Sequence, residues 1–305
     1  MLQAKKLFKS RKINRVLDVN SLDCLTLLDL IKREFLISSL QGNLHSICEI
    51  LLCEILGKER TQLYLENPAL SREELEKFKF CLDSVLSGMP LSFILGKVDF
   101  FGLEFYLDEG CFIPRPETEI LVEQVIDIAG TLRGRKLLIY DLCTGIGNIA
   151  ISLTKSLTCC KIMATDISEL ALKFAYKNSR FHKVGEKMGF VCCDLASGIS
   201  RQVKADIIVS NPPYIEPEDI DTLPENVRRE PLVALQGGPA GLVIIKRLFE
   251  GSRVHLKKGG FLVFEFGHNQ RKTIEKIADE SGIFNIKQII KDYNDKNRIF
   301  IGRKR

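Results

Sequence analysis

Asn211, Pro212, Pro213 and Tyr214 follow the β-branched apolar run 205–209, which reads as a buried strand. An amide, two prolines and a phenol therefore sit just past a strand's C-terminal end, the rim where open α/β sheets bind ligands. Asn211 offers one acceptor and two donors. The prolines lack N–H groups and hold the backbone rigid, so their carbonyls are left to face a ligand. Tyr214 adds a flat apolar face with a polar tip. A planar amide or amino group fits this set: it would lie on Tyr214 and donate to the Asn211 oxygen and the Pro212 carbonyl. An ordinary strand-terminating turn has the same composition, so the preceding chain decides between the two.

Three more groups are spaced along that preceding chain. Cys143-Thr144-Gly145-Ile146-Gly147 is a glycine turn after the apolar run 137–142, and its glycines allow a tight turn and close approach to a ligand. Asp166 ends the next apolar run, about twenty residues on, where nucleoside-binding α/β folds place an acid against ribose hydroxyls. Asp194 follows a third run, where it and its neighbours could meet an adenine edge. A pyrophosphate fingerprint is incomplete, since Ala150 stands at its third glycine. Asp141 also lies just below the turn, unwelcoming to an anion and attractive to a cation. The combination favours S-adenosylmethionine over a nicotinamide dinucleotide.

The elements that must position these residues alternate. Strand 137–142, helix 148–157, strand 161–166, helix 168–178 with Ser168 as N-cap, and strand 188–193 make a β-α-β-α-β series. That series implies a parallel sheet with right-handed crossovers. A helix over 241–256, a strand over 260–266, a helix over 270–281 and a closing hairpin complete a seven-stranded sheet. Upstream, the pattern from Leu22 to Leu86 is helical, with Gly57 as a C-cap and Ser71–Glu74 as a capping box. It reads as a bundle of four or five helices. An extended segment at 100–107 and a helix over 120–129, opened by 113–119, link the two parts. The expected division is a helical substrate-recognition domain over 1–92, a hairpin or linker over 93–119, and a catalytic domain over 120–305.

Composition bounds the rest. The 305 residues are 45% hydrophobic and 27% charged, with net charge +5. No apolar run is long enough to span a bilayer, and the ten cysteines lack C-x-x-C spacing and His neighbours at zinc-ligand spacing. Neither a membrane nor a metal is expected, and the thiols are expected to be reduced and buried in a cytoplasmic setting. The basic stretch from Met1 to Asp18 is either a frayed terminus or a transit peptide that would make the destination mitochondrial.

With these motifs in hand, the sequence from about His45 onward resembles the class I methyltransferases, and within them the HemK/PrmC group. These are S-adenosylmethionine-dependent methyltransferases that modify the side-chain N5 of a glutamine, the one in the Gly-Gly-Gln loop of peptide chain release factors. Besides Asn-Pro-Pro-Tyr, the resemblance rests on 56–61, Gly88-x-Pro90 with Gly96, Phe100-Phe101-Gly102 and Ile113-Pro114-Arg115-Pro116-Glu117-Thr118-Glu119. It rests also on Glu230-Pro231, Gly237-Gly238, Glu265-Phe266-Gly267 and the closing 298–303. It implies a class I, Rossmann-like α/β fold with the methyl donor held by Cys143, Thr144, Gly145, Ile146, Gly147, Asp166, Asp194, Leu195 and Asn211. It implies Asn211, Pro212 and Tyr214 as catalytic residues and, with Pro213, as the substrate site. Release factors are the implied partners, with nucleic acid involved only through translation factors.

The chain departs from the family at a few positions. Cys143 stands for a glycine, and the loop is expected to survive if that residue keeps φ below zero. Leu195 replaces an aromatic, and Phe93 and Arg229 stand where tyrosine or another aromatic is expected. The acidic stretch 216–221 is either a solvated loop or a lid. Two rivals remain: an amino-methyltransferase acting on adenine or cytosine of nucleic acid, and a cofactor-binding scaffold without activity. The first usually carries a large basic or aromatic-rich region, whereas this N-terminal part is nearly charge-balanced and the chain has no Trp.

Overall fold

The computed structural model of the chain describes residues 21–34, 41–132, 134 and 136–305. The basic N-terminal stretch lies outside the described residues. Contacts divide the chain into compact units Met1–Gly96 and Lys97–Arg305. The hairpin around Phe101 therefore belongs with the second unit.

In the first unit, helices α1 (Cys24–Glu34), α2 (Gln41–Leu56), α3 (Arg60–Glu66), α4 (Arg72–Leu86) and α5 (Leu91–Leu95) share a core that includes Leu27, Leu51, Leu52, Leu75, Phe78 and Leu82. Gly57, at φ 62°, ends α2. The Ser71 N–H donates to Glu74 at 2.7 Å, as the capping box at the start of α4 requires. Helical periodicity missed one feature: β1 (Ser21–Asp23) pairs antiparallel with β2 (Ala69–Ser71). Three-residue strands are too short to show a period of two.

The second unit opens with the hairpin β3 (Lys97–Phe100) and β4 (Leu103–Tyr106). Helix α6 (Glu117–Thr131) follows, with Glu117 and Glu119 in its first turn. It starts earlier than the apolar pattern suggested, because Pro116 is pre-set for a helix start. The main sheet then forms from β5 (Leu137–Leu142), β6 (Cys160–Asp166), β7 (Met188–Cys192), β8 (Ala205–Ser210), β9 (Leu256–Glu265), β10 (Phe284–Lys291) and β11 (Asn297–Lys304). Its order is β10-β11-β9-β8-β5-β6-β7. Strands β5 to β9 are parallel, while β11 runs antiparallel to both β9 and β10. Helices α7 (Asn148–Ser156), α8 (Glu169–Phe181), α10 (Val243–His255) and α11 (Arg271–Ser281), with the short α9 (Leu232–Leu235), make the connections.

Every residue of β8 is buried, as expected of a central parallel strand covered on both faces. The register then fixes the rim. Leu142 pairs with Thr165 and Ser210, Asp166 with Cys192, and Ser210 with Phe264. The residues that follow these positions, Cys143, Asn211 and Glu265, thus emerge at one level beside Asp166. Strand order reverses between β5 and β8, which is the switch point where such sheets bind ligands.

The described cysteines are all free, but Cys159 and Cys192 are exposed rather than buried. Cys192 ends β7, an edge strand with one side open to water. Among the described residues, no helix is long and apolar enough to cross a membrane. No group of three or more His, Cys, Asp or Glu among them could hold a metal ion.

Candidate active site

A cavity of about 1080 Å³, counted with its open mouth, lies at this rim. Of the residues singled out from sequence, Cys143, Thr144, Gly145, Asp166, Asp194, Leu195, Asn211 and Pro213 line it. Ile146, Gly147, Pro212 and Tyr214 are not among its lining residues. Ile146 is buried and its carbonyl accepts from Asn178 at 3.0 Å. Gly147 is the N-cap of α7, and a Cβ there would meet Ala175 at 3.1 Å.

The glycine turn is more tightly wound than expected. Cys143 has φ 61°, so the condition set for the loop's survival, a negative φ, is not met. Thr144 N–H donates to the Thr165 carbonyl at 2.9 Å, which keeps the turn on the sheet beside the left-handed residue. Such a backbone costs a non-glycine residue about 1–2 kcal/mol. Removal from water holds the Cys143 thiol above its usual range, with Asp166 adding to the effect. Gly145 is also left-handed, at φ 55°, and a Cβ added there would meet no heavy atom within 4 Å. The turn therefore presents bare backbone to open space on the cavity floor.

Asp166 is tied to that turn. Its Oδ2 accepts from Gly145 N–H at 2.8 Å and its Oδ1 from Ser168 N–H at 2.9 Å. Burial pushes its carboxyl up, and these backbone donors oppose the shift. Each oxygen keeps a lone pair for a further donor, so a vicinal diol could be bound here. Asp194 faces a partner that sequence reasoning missed: Arg247 of α10 donates to its Oδ2 at 2.7 Å, and Arg247 itself lines the cavity. Below the turn Asp141 is fully buried, accepts from Thr144 Oγ1 at 2.6 Å, and leaves Oδ1 without a partner among the described residues. Burial raises its pKa to about 7. The floor can thus hold a polar, hydroxyl-bearing ligand, and its acids suit one carrying positive charge.

The amide-binding stretch is braced from behind. Asn211 Nδ2 donates to Thr118 Oγ1 at 3.1 Å, and Thr118 donates to Glu265 Oε2 at 2.7 Å. Tyr214 OH donates to Glu265 Oε1 at 2.9 Å. Gln270 Nε2 fastens the Tyr214 carbonyl at 3.0 Å. Asn211 Oδ1 and the Pro212 carbonyl take no hydrogen bond from any described residue. Burial raises the pKa of Glu265, opposed by its two hydroxyl donors and Arg298. Burial, then the Glu265 charge, holds the Tyr214 phenol well above its usual range.

The stretch 113–119 has a structural task for several of its residues. Arg115 pairs with buried Glu230, whose carboxylate also accepts from Ile113 N–H at 3.3 Å. Glu119 accepts from Phe101 N–H at 2.7 Å. Thr118 and Glu265 went unnoticed as site residues, yet a signal existed for one of them. Glu265 ends a strand, just as Asp166 ends its own and Asp194 follows its own.

Comparison with known proteins places this arrangement. Residues 116–229 match the methyltransferase small domain and residues 36–96 the PrmC N-terminal domain. The hMettl16 catalytic domain, solved in complex with MAT2A 3'UTR hairpin 6, shares the fold. Its TM-score is 0.53 at 15% identity, over 78% of this chain and 85% of that one. The sheet order and rim cavity are those of a class I, Rossmann-like methyltransferase.

Curated relatives narrow the class. The release factor glutamine methyltransferase of Thermodesulfovibrio yellowstonii is 34% identical over 88% of this chain and 95% of its own length. That of Bacillus subtilis is 36% identical over 84% and 90%. The chain belongs to the release factor glutamine methyltransferase family.

Proposed function

We propose that this chain transfers a methyl group from S-adenosylmethionine to the side-chain amide nitrogen of the glutamine in a release factor's Gly-Gly-Gln loop. The bond from Asn211 Nδ2 to Thr118 carries this reading. It turns the Asn211 carbonyl away from the protein, so that a second amide finds an acceptor beside the Pro212 carbonyl.

A glutamine nitrogen is a poor nucleophile, because its lone pair is delocalised into the carbonyl. Accepting both N–H groups, one at Asn211 Oδ1 and one at Pro212 O, fixes the amide plane. The lone pair then points along one line, and orientation of this kind is worth several kcal/mol. Tyr214 supports the plane with its ring. The bound methyl donor supplies an electrophilic carbon on a sulfonium: the new N–C bond forms as the C–S pair returns to sulfur. The amide gives up one proton to water with or after that transfer, so the net charge balances.

On the donor side, Asp166 would accept the ribose hydroxyls, the bare backbone at Gly145 would lie along the methionine part, and Asp194 and Leu195 would border the adenine. The open space at Gly145 and the spare lone pairs of Asp166 support this assignment. The N-terminal helical unit, which contains the whole PrmC N-terminal match, would hold the body of the release factor. An amino-methyltransferase acting on nucleic acid is not favoured, since relatives named for release factors match most of the chain.

The test is transfer of a labelled methyl to a purified release factor by the full chain and by Asn211→Ala. The wild type should label it and the variant should not. Equal labelling by both would remove Asn211 from the reaction.

A further inference from the structure

Glu265 sits behind the site rather than in it. It ends β9, is 1% exposed, and binds two hydroxyls, one on each oxygen: Thr118 Oγ1 at 2.7 Å and Tyr214 OH at 2.9 Å. Thr118 is itself 1% exposed and accepts from Asn211 Nδ2 at 3.1 Å. A carboxylate, a hydroxyl and an amide therefore form one buried chain running from β9 through α6 to the rim.

The direction of every bond in that chain follows from its first member. Both oxygens of Glu265 accept, one from each hydroxyl, and a hydroxyl has one hydrogen to give. Thr118 commits its hydrogen to Glu265, so it meets Asn211 with lone pairs alone. Asn211 must then turn its NH₂ group toward Thr118. Its carbonyl oxygen is left for the cavity, which it lines. Without the carboxylate, the Thr118 hydroxyl could donate to Asn211 Oδ1 instead, and the amide could present NH₂ outward. The two states are nearly equal in shape and opposite in what they bind.

We propose that Glu265, acting through Thr118, is the positioning residue that sets the polarity of the Asn211 amide, and that this polarity makes the site select glutamine over glutamate. Glutamate has the same shape as glutamine but offers no N–H, so it would meet the Asn211 oxygen and the Pro212 carbonyl with repulsion. The inference rests on the glutamine-methylating reading and adds to it a source of amide specificity. Tyr214 shares the device: its hydroxyl holds the second carboxylate oxygen, so the residue that supports the substrate plane also keeps Glu265 in place.

The test uses the full chain, a purified release factor, and the same factor with its loop glutamine replaced by glutamate as a competing ligand. Thr118→Val removes the relay at nearly constant volume, Thr118→Ser keeps it, and Glu265→Gln removes the acceptor-only character. S-adenosylmethionine affinity and thermal midpoint are measured on each variant, so that misfolding is seen directly. For Thr118→Val and Glu265→Gln we expect kcat to fall about tenfold or more, with donor affinity within about threefold of wild type. The preference for the glutamine form over the glutamate form should also fall by about tenfold, and Thr118→Ser should recover most of both.

A fall in rate with the preference intact would mean that Glu265 only braces the fold, and would overturn the inference. So would wild-type rate and preference in both variants. Should either variant fail to fold, the other decides on the same two readouts. If the wild type itself leaves the glutamine unmethylated, the functional reading fails first, and the inference goes with it.

Discussion

Gly145 donates its backbone N–H to Asp166 Oδ2 at 2.8 Å, joining the turn after β5 to the acid that ends β6. One carboxylate thereby shapes the glycine turn and faces the space above it. Asp166→Ala should weaken S-adenosylmethionine binding by about 1–3 kcal/mol, through loss of charged acceptors. Calorimetry reads this directly, and unchanged affinity would take Asp166 out of the donor site.

Cys143 holds a left-handed backbone that glycine adopts freely. Cys143→Gly should keep donor binding and change stability by no more than about 1 kcal/mol, since relief of strain offsets the greater freedom of the unfolded chain. Cys143→Val, β-branched at the same φ, should lower the thermal midpoint clearly. Thermal unfolding of both variants checks the pair; equal midpoints would show that the turn relaxes around either side chain.

Burial lifts Asp141 from 3.8 to about 7. The folded chain then holds a proton that the unfolded chain has released between those values. Its contribution to stability is fully present below pH 4, is lost as pH rises toward 7, and is flat beyond. Relative to Asp141→Asn, wild-type stability should decline across that window by at most about 4 kcal/mol. Denaturant unfolding at several pH values, without added ligand, measures the difference; parallel curves would mean the carboxyl is ionised throughout.

Glu230 is buried and its charge is matched by Arg115. Arg115→Ala should destabilise the second unit by about 3 kcal/mol, because the remaining carboxylate loses its counter-charge. Replacing Glu230 by Gln as well should recover part of that loss. A double variant no more stable than Arg115→Ala would show that the charge is not the cause.

Much of this molecule was legible because its signals are local. The runs 137–142 and 205–209 are apolar but for one aspartate each, as strands buried on both faces need to be, and a glycine turn or an amide with two prolines follows them where a ligand can be reached. Ser71–Glu74 and Ser168 announce helix starts by their own chemistry. What escaped was relational. Thr118 reads as an unremarkable first-turn residue until the fold sets it between Asn211 and Glu265, which lie 93 and 147 residues away in sequence. Arg247 on α10 gains meaning only beside Asp194. The positive φ at Cys143, next to the bond from Thr144 to β6, is specified by nothing in the turn's own residues.

That network also changes the weight given to a hydroxyl. From sequence, Tyr214→Phe reads as mild, since the ring remains. In the fold, the phenol is one of two donors to buried Glu265. Its loss should cost about 1–3 kcal/mol of stability and lower kcat, yet by less than Asn211→Ala. Unfolding and initial-rate measurements on the two variants give the order, and a Tyr214→Phe enzyme indistinguishable from wild type would show that Glu265 needs only Thr118.

The most direct measurement of the central claim is tandem mass spectrometry of a release factor incubated with the full chain and S-adenosylmethionine, with duplex DNA offered in the same tube. One added methyl, localised to the side-chain amide nitrogen of the Gly-Gly-Gln glutamine and absent with Asn211→Ala, is the expected result. A methyl on DNA adenine with that glutamine unmodified would contradict it.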